Sequence, residues 1–165
     1  MLEDVLEPGL KLVVCGTAAG KRSAQVGAYY AGPGNKFWRT LAAVGLTPRQ
    51  LAPAEYALLP TFGIGLTDVV KGQSGPDQNL RFSSAGPATL RSKIEQIPPR
   101  VLCFNGKRAA SEYLRRDSLT YGWQHERIGS TRLFVAPSTS GAASGYWDIE
   151  LWREMAAFVR VEAVV

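Results

Sequence analysis

An α/β fold with a central, mainly parallel sheet of four strands is what the sequence predicts, and three observations carry that expectation. Four short apolar runs, residues 10–15, 62–70, 101–104 and 133–136, have the length and composition of buried strands. Segments with apolar residues at three- and four-residue spacing lie between them, and alternation of strand with helix favours parallel pairing. Each run also ends in a loop of small or polar residues. A parallel sheet gathers those ends along one edge, where open α/β folds place their ligands.

Taken in order, the first run, Leu10 to Cys15, leads into a loop from Gly16 to Gly34. A helix is expected from Asn35 to Val44, with Asn35 suited to cap it. "LTPRQLAP" (residues 46–53) is turn-rich and holds a short helix at most. The second run, Phe62 to Val70, is broken by glycines and passes into a loop from Asp68 to Gln78. Helices follow from Pro87 to Gln96 and, after the Val101–Phe104 run and its "NGK" loop, from Lys107 to Arg116. Tyr121 to Ile128 is read as a peripheral strand. The fourth run ends in "PSTSG" (Pro137 to Gly141), and a last helix is expected from Tyr146 to Val161. Its stripe of Trp152, Met155, Ala156 and Val159 reads as core packing.

The chain has 165 residues, 45% of them hydrophobic, enough for one domain with a real core, and nothing in it marks a linker or repeat. One domain over residues 1–165 is expected. A formal charge of +5 leans towards a polyanionic partner. The two cysteines, Cys15 and Cys103, sit inside apolar runs and are too few for a disulfide framework, a thiolate cluster or a zinc site. No secretory leader pattern or membrane-length apolar run is present, so a reduced, cytoplasmic, soluble protein is expected.

The loop "CGTAAGKRS" invites a nucleotide-binding reading that its spacing excludes. A Walker A loop needs four residues between its glycine and the Gly-Lys pair, then Ser or Thr after the lysine. Here three residues separate Gly16 from Gly20, and Arg22 intrudes before Ser23. The dinucleotide fingerprint is also absent. More informative is "YYAGPGNKFW" (residues 29–38). Two adjacent tyrosines before a Gly-Pro-Gly turn are hard to bury together, so at least one ring is expected at the edge, where it could stack on a flat ligand or simply pin the loop.

These residues, with "PSTSGAAS" at 137–144, resemble the uracil-DNA glycosylase superfamily, and within it the mismatch-specific (MUG/TDG-like) branch. Residues 16–20 and 32–38 can be laid on that branch's Gly-x-Asn-Pro-Gly and His-Pro-x-Asn-x-Phe-Trp patterns, and the later segment on its Pro-Ser loop. The resemblance implies a three-layer α/β/α sandwich that acts as a monomer on DNA containing uracil or another deaminated base. It flips that base out and hydrolyses the N-glycosidic bond without a cofactor. It places Tyr30 and Phe37 at the base pocket, Gly16, Thr17 and Ala18 in the first motif, and Ser138, Thr139 and Ser140 in the loop that meets the DNA backbone and the lesion. Departures from the pattern remove polar or rigid groups at three of its positions. Ala18 replaces the water-positioning asparagine, Ala19 its proline, and Ala136 the polar residue before Pro-Ser. "GAAS" also lacks a bulky side chain to wedge the stack.

Breaking the bond builds positive charge on the sugar and negative charge on the base, so a carboxylate beneath the sugar would stabilise the cation and orient water. Asp68 is the acid at the end of a glycine-flanked apolar strand, "GIGLTDVV"; a capping role is its alternative. Asn35 is the second candidate for holding the water, through its amide oxygen. Asp77 reads as a solvated turn residue, and the lone histidine, His125, as a surface residue. Lys71, Lys107 and Arg108, with Arg81, lie at or near the same edge and could meet phosphates. Asn105 reads first as a cap for the following helix, with contact to a flipped nucleotide as its alternative. Three functions remain open on sequence: a glycosylase, a non-catalytic lesion-recognising DNA-binding relative, and a small-nucleotide or nucleoside hydrolase.

Overall fold

A computed structural model of the chain describes residues 2–70 and 85–161. Its strands are β1 (Leu12–Gly16), β2 (Ile64–Asp68), β3 (Val101–Asn105), β4 (Gly122–Ile128) and β5 (Thr131–Ala136). They form one sheet in the order β2-β1-β3-β5-β4, with every pairing parallel except that of β4 with β5. The helices are α1 (Lys21–Val26), α2 (Phe37–Ala43), α3 (Ala85–Gln96), α4 (Lys107–Leu114) and α5 (Ile149–Arg160).

Side chains alternate across a strand, so an apolar run with no polar positions must bury both faces. Leu12 and Val14 of β1 join Ile64, Leu66, Val101, Cys103 and Phe134 on one face, under Phe37, Trp38 and Leu41 of α2 and Trp152, Met155, Ala156 and Val159 of α5. Val13 and Cys15 join Leu102, Phe104, Leu133 and Val135 on the other, against Leu90 and Ile94 of α3 and Ala109 and Ala110 of α4. The result is an α/β/α sandwich with two cores divided by the sheet. Burying each large apolar side chain contributes roughly 1.5–3 kcal/mol.

The sheet has five strands rather than the expected four, because residues 122–128 complete it as an antiparallel edge. Their mixed composition suits an edge with a wet face: His125 is exposed, while Trp123 packs edge-on against Phe134 and Phe158. The opposite edge is covered by the N-terminal segment. Val5 exchanges both backbone hydrogen bonds with Leu66 (2.8 and 2.9 Å), and Asp4 accepts from Thr67 Oγ1 at 2.7 Å and from Lys93 Nζ at 2.5 Å. Gly65 permits this approach, since a Cβ there would stand 2.5 Å from the Val5 carbonyl oxygen.

Helix ends shift for identifiable reasons. α5 begins at Ile149, not Tyr146, because Asp148 Oδ1 accepts the Glu150 amide at 3.0 Å and residues 141–146 form a separate 3-10 turn. Its far end is held by Arg100, whose guanidinium donates to the carbonyls of Phe158 and Val159 at 3.3 Å each and to that of Val161. The second strand starts at Ile64 because Phe62 closes a 3-10 segment, Pro53–Phe62, which carries proline at both ends and has little helical periodicity to signal it. α1 likewise interrupts what reads as one long loop. Both cysteines are buried and neither is in a disulfide, and burial pushes the Cys103 thiol far up. Among the described residues no helix is long and apolar enough to cross a membrane.

Candidate active site

The carboxyl ends of β1, β2, β3 and β5 share one edge, and the loops leaving them enclose a cavity of about 1010 Å³. Most of the residues singled out by sequence meet here. Gly16, Thr17 and Ala18 line it from β1, Asp68 from β2, Lys107 and Arg108 from the start of α4, Ser138 and Ser140 from the loop after β5, and Tyr30 and Asn35 from the long loop before α2. Lys71, Asp77 and Arg81 lie outside the described residues.

The floor is built by strand register. Gly16 pairs directly with Asp68, and the ladder continues through Val69 N to Gly16 O (2.9 Å) and Val70 N to Thr17 O (2.8 Å). Asp68 is therefore carried by the sheet itself and is only 5% exposed. A Cβ on Gly16 would stand 2.8 Å from Asp68 Oδ1 and 3.0 Å from the Tyr30 hydroxyl, so the missing side chain leaves space on which two oxygens converge. The Tyr30 hydroxyl is buried and has no hydrogen-bond partner among the described residues. Its pKa is held well above the usual phenol value, first by burial and then by the charge of Asp68, so the group remains a neutral O–H.

Tyr30 has φ 51°, in the left-handed region that a bulky residue rarely enters. Ser23 Oγ accepts the next amide, Ala31 N, at 2.9 Å and fixes the turn. The two tyrosines divide as their crowding demands. Tyr29 is 2% exposed, with its hydroxyl on Glu3 O at 2.8 Å and its carbonyl accepting Trp38 Nε1 at 3.0 Å. Tyr30 stays half-buried and turns towards the cavity.

Phe37 does not line the cavity. It is fully buried and backs Tyr30, ring centroids 4.1 Å apart, because as the first residue of α2 it points into the core. Behind it stands Trp152 at 6.4 Å, whose Nε1 donates to Pro137 O at 2.9 Å. One aromatic column thus braces both the Tyr30 wall and the Pro-Ser loop. Asn35 does not cap α2, whose N-cap is Lys36; from one residue earlier its Oδ1 accepts the Phe37 amide at 3.0 Å and steadies the turn into the helix.

Asn105 does not cap α4; Gly106 precedes that helix with no side-chain cap. Its amide instead pairs reciprocally with Thr139, Nδ2 donating to Thr139 Oγ1 at 2.9 Å and Oδ1 accepting Thr139 N at 3.0 Å. Thr139 is consequently buried rather than facing the cavity, and its carbonyl accepts Lys36 N at 2.8 Å. Ser138 and Ser140 accept the Ser140 and Ala142 amides at 3.2 Å each, and their own O–H groups point to no partner among the described residues. Ala136 is fully buried at the end of β5.

Arg22, Lys107 and Arg108 place three basic side chains on the cavity lining, with Lys107 Nζ 4.4 Å from the Tyr121 ring centre. Tyr146 also lines it and is 75% exposed. No sequence motif marks Arg22 or Tyr146: Arg22 stands in a loop whose spacing fits no nucleotide cradle, and the signal for Tyr146 is a large aromatic among glycines and alanines, with little around it to bury the ring. His125 is exposed on β4 and is not part of the cavity.

The family model of the uracil DNA glycosylase superfamily matches residues 3–156, nearly the whole chain. The chain belongs to that superfamily. Its architecture is also similar to the solution NMR structure of a candidate uracil DNA glycosylase from Methanosarcina acetivorans, with TM-score 0.64 and 97% of each chain covered. At 22% identity that likeness speaks for the fold.

The Asn105–Thr139 pair sets the height of the Pro-Ser loop over the cavity, and Asn105→Ala leaves two buried polar groups of Thr139 without partners. It should lower unfolding free energy by about 1–3 kcal/mol, read by urea denaturation.

Proposed function

We propose that this protein is a DNA glycosylase that extrudes uracil, or another deaminated base, from DNA and hydrolyses its N-glycosidic bond to leave an abasic site. The observation that carries this reading is the convergence of the Asp68 carboxylate and the Tyr30 ring on the space above Gly16, inside a basic-lined cavity large enough for a flipped nucleotide.

The chemistry follows from charge. As the C1′–N bond lengthens, its electron pair moves to the base and the sugar becomes cationic. Asp68, almost fully removed from water, would stabilise that cation more strongly than an exposed carboxylate. Water then bonds to C1′ and gives a proton to Asp68, which returns it to solvent, while the base leaves with the bonding pair as an anion and takes up a proton from solvent. Tyr30, braced by Phe37, offers a flat wall for the extruded ring, and stacking contributes about 1–3 kcal/mol per base. Arg22, Lys107 and Arg108 would neutralise phosphates at the mouth, and the Ser138 and Ser140 hydroxyls would donate to phosphate or base oxygens.

Asp68 takes the part left vacant by Ala18. Asn35 is the weaker candidate because its amide oxygen already holds the Phe37 N–H. The bulky group missing from "GAAS" is supplied by Tyr146, which stands exposed at the rim, where its ring can enter the stack vacated by the extruded base.

The direct test incubates the protein with duplexes carrying uracil opposite guanine or adenine, then cleaves abasic sites with alkali. Strand breaks are expected; retarded but intact DNA would favour a lesion-binding relative without hydrolysis. Asp68→Asn keeps the side chain's shape and should bind DNA yet lose at least about tenfold in single-turnover rate, roughly 1.4 kcal/mol of barrier. A folded Asn35→Ala that is inactive beside a fully active Asp68→Asn would reverse the assignment. Tyr146→Ala should slow excision from duplex more than from single strands, because only the duplex has a stack to fill. Equal effects on both would remove Tyr146 from that role.

A further inference from the structure

The Tyr30 hydroxyl is the unexplained group of the cavity. A tyrosine that served only as a stacking wall would need no polar tip there, and a buried donor without a partner is costly. Asn105 lies beside the hydroxyl, but its amide is turned to Thr139, which Nδ2 and Oδ1 each hold, and no hydrogen bond to the phenol is formed. The hydroxyl is not displaced by accident either, since the ring is stacked on Phe37 and its backbone is held in the left-handed region.

We infer that the Tyr30 hydroxyl and Asp68 Oδ1 together hold the attacking water above Gly16. This rests on the glycosylase reading and deepens it by assigning the phenol a part in hydrolysis beyond stacking. The two oxygens approach one point at 2.8 and 3.0 Å, and no Cβ occupies the space between them. One oxygen only accepts; the other is a donor with no acceptor. A water seated just outside that point satisfies both, accepting from the phenol and donating to the carboxylate.

The alternative acceptor, an oxygen of the departing base, suits this position poorly. That base gathers negative charge as it leaves, and the Asp68 carboxylate would repel it. The sugar cation and the water are the reacting partners that a carboxylate attracts. Burial and the Asp68 charge keep the phenol protonated, with Cys15 and Tyr29 adding in the same direction, so the hydroxyl acts as a donor and not as a base. In the step itself the water oxygen bonds to C1′, the bonding pair of C1′–N leaves with the base, and the water's proton passes to Asp68. The phenol keeps its proton throughout.

Tyr30→Phe isolates this role, because it keeps the ring on Phe37 and removes one oxygen. The experiment compares wild type and Tyr30→Phe for single-turnover release of uracil from a duplex, affinity for the same duplex, and the urea midpoint. The expected result is excision slowed at least about tenfold, affinity little changed, and a midpoint equal to or above wild type, since an unsatisfied buried hydroxyl has been removed. A structural hydroxyl would instead lower the midpoint. An active wild type with an equally active Tyr30→Phe overturns the water-holding role and leaves the glycosylase reading intact. A wild type that releases no base from any duplex overturns both. A lowered midpoint with unchanged rate assigns the hydroxyl to packing and also overturns the proposal.

Discussion

The absence of a side chain at Gly16 is the constraint on which the site depends. Its strand ends beside β2 in parallel register, so the sheet itself delivers Asp68 to the neighbouring position. Any Cβ there would crowd both oxygens, at 2.8 Å from Asp68 Oδ1 and 3.0 Å from the Tyr30 hydroxyl. A small residue at this point thus decides whether two oxygens can share one space. Ala18, in the same motif, brings no polar side chain to the cavity.

The walls around that space are rigid because they are continuous with the core. Tyr30 rests on Phe37, Phe37 faces Trp152, and Trp152 holds the Pro137 carbonyl, so the cavity's two main loops are pinned by one aromatic column under the sheet edge. The Asn105–Thr139 pair and the Lys36 N to Thr139 O bond fasten the same loops from the polar side. Stability and function meet in these contacts. The strained φ of Tyr30 persists because the neighbouring contacts over-determine it.

Much of this was legible in the chain. Apolar runs with no polar alternation announced strands buried on both faces, and the position of Asp68 at the end of "GIGLT" placed an acid at the ligand edge. The split roles of Tyr29 and Tyr30 were foreseeable in kind, since two adjacent rings could not share one environment. What could not be read was tertiary. Asn105 looks like a helix cap because capping is a local pattern, whereas its partner Thr139 lies 34 residues away. Phe37 reads as a pocket residue by its motif, but only the fold shows that α2 turns it behind Tyr30. The edge strand β4 was weakly marked because one of its faces is wet, and the 3-10 segments have too little periodicity to register. The resemblance read from "YYAGPGNKFW" and "PSTSG" agrees with the superfamily match across residues 3–156.

The central claim is that catalysis occurs in the space above Gly16, and the single-turnover excision rate of Gly16→Ala tests it most directly. The atoms nearest the added methyl group are side-chain atoms of Asp68 and Tyr30, so the protein should fold and bind DNA while one of them is displaced. The account predicts a rate lowered at least about tenfold with DNA affinity and circular dichroism unchanged. A folded Gly16→Ala that releases uracil at the wild-type rate would contradict it.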